Sequence, residues 1–275
     1  MMKFKIMKQL FLISRITLFL FVLILFSCGE EQTQKQEKNT VEEKSKTVNS
    51  LSDEEKYSQK MAAIDSNKQL KVFNGLSFNN EAGETVQAIG YVDINDQEVK
   101  IEELFSDPKT GNYGTNYFYI EAGKKFASKQ IIYDNTKKPT VFVERVSYFN
   151  EKQEVIYTKE RTAEYEELLG QAGFKPATLF DCKIDRAMRA LNEEGEFETT
   201  FQGFIQYENL DYILVGANTK TGYVSSLAVI LPNELINMLK SDERKYVGTP
   251  LEVQFQKDIG GSGMTYQALV DIRLK

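Results

Sequence analysis

In Thr85-Val-Gln-Ala-Ile-Gly-Tyr-Val-Asp-Ile-Asn-Asp-Gln-Glu-Val-Lys-Ile101, apolar side chains fall on every second position. Val86, Ala88, Gly90, Val92 and Ile94 alternate with Gln87, Tyr91 and Asp93, the period of a half-buried strand. Asn95-Asp96 supplies a turn, and Val99 and Ile101 resume the pattern, so the stretch reads as a β-hairpin. The period of two extends over residues 84–157, with strand-like runs at 117–120, 130–133, 140–149 and 155–157. A largely antiparallel sheet is expected here.

Helical signals flank this region. Ser52-Asp-Glu-Glu55 is a capping box, and Tyr57, Met61 and Ile64 continue it as one apolar stripe. Past the sheet, Thr162 is placed to cap a helix with Glu164, Glu166 and Glu167 in its first turns, stopped by Gly173 and Pro176. Asp181 is placed to cap a second helix, with Ile184, Ala187, Met188 and Leu191 on its inner face. Alternation returns from Phe197 to Tyr207 and at 212–217 and 224–231. Pro232 opens a helix with Leu235, Ile236 and Leu239 inward, and strands around Val253 and Val270 follow, joined by Gly260-Gly261-Ser262-Gly263. Three strands, a helix and two strands is the element order of an OB-fold, which residues 196–275 resemble. The expected class is α+β and β-rich: an antiparallel sheet, two short helices, then an OB-like five-stranded barrel. Residues 52–160 form the first domain of this reading, and residues 161–275 a helical connector plus the OB-like domain.

Candidate chemistry is sparse. The chain has no histidine, which removes the commonest general base and metal ligand. Cys182 falls in the first turn of the second predicted helix, but without a base or a second nearby cysteine it reads as a small buried residue. Asp93, Asn95 and Gln97 have the spacing of a calcium loop, yet Glu98 and Leu104 stand where such a loop needs Gly and Glu. The glycine loop at 260–263 leads into a strand and lacks the Lys-Ser/Thr pair of a phosphate cradle. The pairs Glu102-Glu103, Glu166-Glu167 and Glu193-Glu194 read as solvated surface charge. No catalytic, cofactor or metal residues are therefore assigned. Tyr113, Tyr117 and Tyr119 form the candidate ligand face, with Gly111 and Gly114 able to open a groove; alternating aromatics also suit a plain sheet core.

The amino terminus carries a different message. Lys3, Lys5, Lys8 and Arg15 precede an apolar run at 16–26, whose 11 residues reach only ~16 Å as a helix, short of a bilayer core of about 30 Å. Leu25-Phe26-Ser27-Cys28, followed by Gly29, resembles the lipobox of bacterial lipoproteins, although Phe26 is bulkier than that place usually carries. The resemblance implies a signal peptide at 1–27 and a diacylglycerol thioether on Cys28, usually with an acylated amino group such as palmitate provides. Residues 28–51 follow as lipidated cysteine and disordered tether, poor in apolar residues. Glu30-Glu31 resembles the post-cysteine signals that send some Gram-negative lipoproteins to the cell surface; it equally suits a charged linker. The implied location is the cell envelope, on either face of the outer membrane in a Gram-negative cell.

Removing residues 1–27 takes away four basic and no acidic residues, so 34 − 4 leaves 30 against 40 and a net charge of −10. Such a polyanion is repelled by nucleic acid, which is excluded as a partner. The expected function is that of a non-catalytic, membrane-anchored envelope lipoprotein binding a protein partner or envelope ligand, with the bilayer engaged through acylated Cys28. Its alternatives are a carboxylate-dependent hydrolase and an immunity- or inhibitor-type lipoprotein.

Overall fold

The computed structural model describes residues 52–207, 209–219, 222–259 and 265–275. Cys28, the signal and tether, and the loop at 260–263 lie outside the described residues.

α1 (Asp53–Ser66) begins at the capping box: Glu55 N donates to Ser52 Oγ, and Ser52 N to Glu55 Oε2 at 2.8 Å. Seven antiparallel strands follow as a meander: β1 (Lys71–Asn79), β2 (Thr85–Val92), β3 (Glu98–Asp107), β4 (Asn112–Glu121), β5 (Lys124–Asp134), β6 (Val141–Phe149) and β7 (Val155–Ala163). A two-residue strand, β8 (Lys175–Pro176), ends the sheet on that side. Burial in β2 alternates strictly, with Val86, Ala88, Gly90 and Val92 inward, as its sequence requires. The Asn95-Asp96 turn is also present: Asp93 Oδ1 accepts from the amides of Asn95 and Gln97, and Asp96 takes the left-handed conformation.

After α2 (Asp185–Asn192) come β9 (Thr200–Tyr207), β10 (Leu210–Gly216) and β11 (Val224–Ala228), the helices α3 (Glu234–Ser241) and α4 (Glu243–Tyr246), then β12 (Leu251–Ile259) and β13 (Thr265–Leu274). All thirteen strands belong to one mixed sheet. β11 is its fork. It pairs antiparallel with β10 along its length, with β1 at Val224–Asn79, and parallel with β13 at Ala228–Ala268. The sheet is open: the tie between β9 and β12 is an isolated bridge, Thr200–Pro250, with flanking backbone bonds from Phe201 N to Thr249 O and Leu251 N to Thr199 O.

At the fork β1 bulges between Asn74 and Ser77, and a side chain takes the place of a missing strand partner. Gln267 Oε1 accepts from Ser77 N at 2.8 Å, while its Nε2 donates to Ser225 Oγ at 2.8 Å and Ser226 O at 3.3 Å. The main core lies on the α2 side. There Phe78, Ala88, Ile101 and Phe118 meet Ala187 and Ala190 of α2 and continue into Phe201, Ile213, Leu227, Ile236 and Leu251. A smaller cluster lies on the opposite face, where α1 sets Met61 against Tyr119, Phe126, Val146 and Tyr148.

Several boundaries differ from the sequence-based expectation. The helix expected from Thr162 is a six-residue 3-10 segment, Glu166–Gln171, with only Leu169 buried. β7 continues its ladder to Ala163, placing Thr162 opposite Val143, so that threonine is occupied as a strand residue. α2 starts at Asp185 and not after Asp181, because the Asp181 carboxylate is held by Lys125 and Lys183. Cys182 accordingly precedes the helix. α3 starts at Glu234, two residues past the expected start at Pro232, and is capped by Asn233, whose Oδ1 accepts from Ile236 N. Phe197 sits in a 3-10 turn ahead of β9, wedged against Phe78 and Tyr223 with ring centroids 5.2 and 4.6 Å away.

Replacing Gln267 with Leu strands the Ser77 amide at the fork and should cost about 2 kcal/mol. Urea unfolding checks this: a lowered midpoint with an unchanged slope is expected, and an unchanged midpoint overturns it.

Candidate functional site

The register of the meander fixes which side chains share a face. On the α1 side, successive strands contribute Ser106, Tyr113, Tyr133 and Phe142 as one cross-strand row. Three rows away, Lys100, Tyr119, Ala127 and Tyr148 lie beneath α1. Tyr113, Tyr117 and Tyr119 thus share a face but occupy three environments.

Tyr119 is fully buried, and its hydroxyl donates to Asp65 Oδ2 of α1 at 2.9 Å. Tyr117 is half-buried, with Lys129 Nζ 4.3 Å and Lys100 Nζ 5.2 Å from its ring centroid. Tyr113 is 47% exposed, stacked on Tyr133 at 5.0 Å and edge-on to Phe142 at 6.5 Å. The structure brings Tyr113 alone to an open groove, of about 280 Å³ and lined also by Leu104, Thr115, Ile131, Tyr133, Phe142 and Glu166.

Local chain geometry sets the groove. Tyr113 follows a turn in which Gly111, at φ +72°, donates its amide to Asp107 O at 2.8 Å. Asn135 N donates to Asn112 Oδ1 at 2.8 Å, tying this turn to the β5–β6 loop. At Gly114 a Cβ would lie 2.2 Å from Ile131 O, so only glycine lets β4 and β5 close at the groove floor. Leu169, buried on β6 and β7, seats the 3-10 segment that carries Glu166.

Beside the groove lies a cluster of charge. Lys100 Nζ donates to Asp65 Oδ1 at 2.7 Å, contacts Glu102 Oε1 at 2.9 Å, and stands over the rings of Tyr91, Tyr117 and Tyr119. Burial works against the Lys100 charge, but hydrogen bonds to Asp65 and Glu102 more than offset it and raise the pKa. Burial, then the Glu102 carboxylate, pushes the Tyr91 hydroxyl up to about 12. Burial and then Asp65 raise Tyr119 as well.

The opposite face carries a second polar row, one residue per strand. Arg145 donates to Glu160 Oε2 at 3.0 Å and to Gln130 Oε1 at 3.3 Å; Gln130 donates to Asn116, and Asn116 to Glu103 at 2.7 Å. Arg186 of α2 closes the row on Glu103 at 2.6 Å. Glu103 is 1% exposed, which corrects its reading as solvated surface charge; Glu102 is likewise drawn into the Lys100 pair. The two glutamates do point to opposite sides, but both sides are covered. Cys182 is buried, and burial pushes its thiol up to about 12, so it is a poor nucleophile.

Among the described residues, no cluster of His, Cys, Asp or Glu is arranged to hold a metal ion, and no helix is long and apolar enough to cross a membrane. No protein-family profile, curated protein or solved structure matches the chain significantly. Tyr133, Phe142 and Glu166 were missed in the sequence. Pairing the predicted strands about the 107–112 and 134–141 turns would have set the first two beside Tyr113; nothing in the sequence locates Glu166 there.

The raised Tyr91, Tyr119 and Lys100 values fix the sign of one pH dependence. Above about pH 10, where an ordinary tyrosine and lysine release their protons, the folded chain still holds these and the unfolded chain does not. Stability is therefore full below that pH and falls as pH rises toward 12. Thermal melts across this range should show a falling midpoint, with a shallower fall in Tyr91→Phe; a flat profile contradicts the assignment.

Proposed function

We propose that this chain is a non-catalytic lipoprotein of the cell envelope, anchored in the bilayer through acylated Cys28, whose sheet body binds a protein partner. The lipobox-like Leu25-Phe26-Ser27-Cys28 supports the anchor. The observation that carries the binding role is the open groove at Tyr113, Tyr133 and Phe142, an aromatic surface left uncovered on a face that α1 otherwise caps. Strands β9 to β13 form an OB-like unit in this reading. Support comes from the order of three strands, helix and two strands, the parallel β11–β13 pair, and the Thr200–Pro250 bridge, which brings the first and fourth strands of that unit together.

A carboxylate-dependent hydrolase fits the groove less well. Glycoside hydrolysis, for instance, needs two carboxyl groups about 5–10 Å apart, and one carboxylate, Glu166, lines the groove among the described residues. An inhibitor- or immunity-type lipoprotein is the second reading. The acidic balance of the chain, 40 acidic against 34 basic residues, permits it but does not argue for it, since acidic surfaces are common.

In-cell crosslinking and pull-down of the tagged protein, read by mass spectrometry with Cys28→Ala as control, tests both parts. One recurrent partner is expected, lost or reduced in the control, and Cys28→Ala should move the protein into the soluble fraction. A Cys28→Ala protein that stays with membranes after signal cleavage overturns the anchor. Failure to recover any partner counts against protein binding.

A further inference from the structure

On the α1 face, cations recur in one setting: an aromatic ring beneath, a carboxylate beside. Lys100 Nζ lies 5.0 Å from the Tyr91 centroid and 2.7 Å from Asp65. Lys129 lies 4.3 Å from the Tyr117 centroid and 3.7 Å from the same aspartate. Lys159 stands 4.7 Å over Phe174 and 2.7 Å from Glu54, and Arg161 stands 4.4 Å over the same ring and 2.6 Å from Glu144. Lys60 repeats the pattern over Phe126, with Glu121 2.7 Å away.

The groove at Tyr113 has two of the three parts. It has rings, in Tyr113, Tyr133 and Phe142, and a carboxylate, Glu166, in its wall. Among the described residues, no lysine or arginine stands over these rings, and Glu166 has no ion-pair partner. Glu166 does bear on Tyr117, whose hydroxyl is raised mainly by burial and in small part by this carboxylate.

We infer that the groove receives a cation from outside: an arginine or lysine side chain of a basic protein partner, set over the Tyr113–Tyr133–Phe142 rings and against Glu166. The inference rests on the partner-binding reading above and names the chemistry of its contact. Ring quadrupoles attract a cation more strongly once it is partly desolvated, and the groove walls of Leu104 and Ile131 provide that shielding. Arginine suits the site better than lysine, since its flat, weakly hydrated guanidinium stacks on a ring while its edge donates to a carboxylate. The acidic balance of the chain favours the approach of such a partner.

The probe is an octa-arginine peptide, with octa-citrulline as its uncharged isostere, titrated against the full-length protein at physiological salt. Octa-arginine is expected to bind and octa-citrulline to bind at least about tenfold more weakly. Glu166→Gln and Tyr113→Ala should each weaken octa-arginine binding about fivefold. Glu167→Gln removes the same charge one residue away, and Tyr165→Ala removes an exposed ring outside the groove; both should stay within about twofold of the parent. Tyr113→Phe should retain binding, which separates ring loss from misfolding.

Equal losses in Glu166→Gln and Glu167→Gln would mean diffuse attraction and overturn the site, as would equal binding of the two peptides. If pull-down recovers a partner that Tyr113→Ala does not diminish, the cation site is wrong while partner binding stands. Peptide binding with the predicted asymmetry, but with Cys28→Ala still in membranes, means the opposite: the site stands and the anchor falls.

Discussion

One carboxamide holds the two halves of the sheet in register. Where β1, β11 and β13 meet, three strands compete for edges that a regular ladder can give to only two. The β1 bulge leaves the Ser77 amide facing inward, and Gln267 answers it, donating at the same time to Ser225 and Ser226. Because β1 opens the meander while β11 and β13 belong to the carboxyl-terminal strands, this join links the two halves beside the Asn79–Val224 pair and the Tyr223–Glu84 hydrogen bond. The core that runs from Phe118 through Ala190 to Ile213 and Leu251 is continuous only because the sheet is.

Both faces of the meander carry charge inward, and among the described residues no fully buried side-chain nitrogen or oxygen lacks a hydrogen-bond partner. On the α2 face the amide donors of Asn116 and Gln130 point along the row toward Glu103, which Arg186 neutralises from the helix, while Arg145 divides its donors between Gln130 and Glu160. On the α1 face Asp65 gathers Lys100, Lys129 and Tyr119. A buried pair of this kind adds less stability than its short distances suggest, since desolvation opposes it, but it penalises any other docking of the helix severely. Each helix is thereby held to one position on its face of the sheet.

The β-rich class was legible because β2 obeys a strict period and the Asn95-Asp96 turn has its Asx chemistry in plain sequence. The α1 capping box was equally local. What failed had tertiary causes. Thr162 has every mark of a helix cap, yet the β6–β7 ladder extends past it and claims it first. Glu102 and Glu103 look solvated until the register shows that one faces Lys100 and the other Arg186. Of the three tyrosines proposed as a ligand face, alternation put Tyr117 and Tyr119 on one side and did not reach Tyr113; it could not tell that α1 covers Tyr119 and leaves Tyr113 open. Coverage is decided by where a helix lands, which strand periodicity does not encode.

The capping box at Ser52 has a mechanical consequence. Any tension reaching the body from the residues ahead of it enters at the first turn of α1, fourteen residues of helix before the chain reaches β1. That load falls on side-chain contacts, the Glu54–Lys159 and Lys60–Glu121 pairs and then the Asp65 cluster, and not on strand hydrogen bonds. Pulled from this end, the molecule peels one contact at a time, so α1 yields at low force and shields the meander, whose ladders stay intact until the helix has come away.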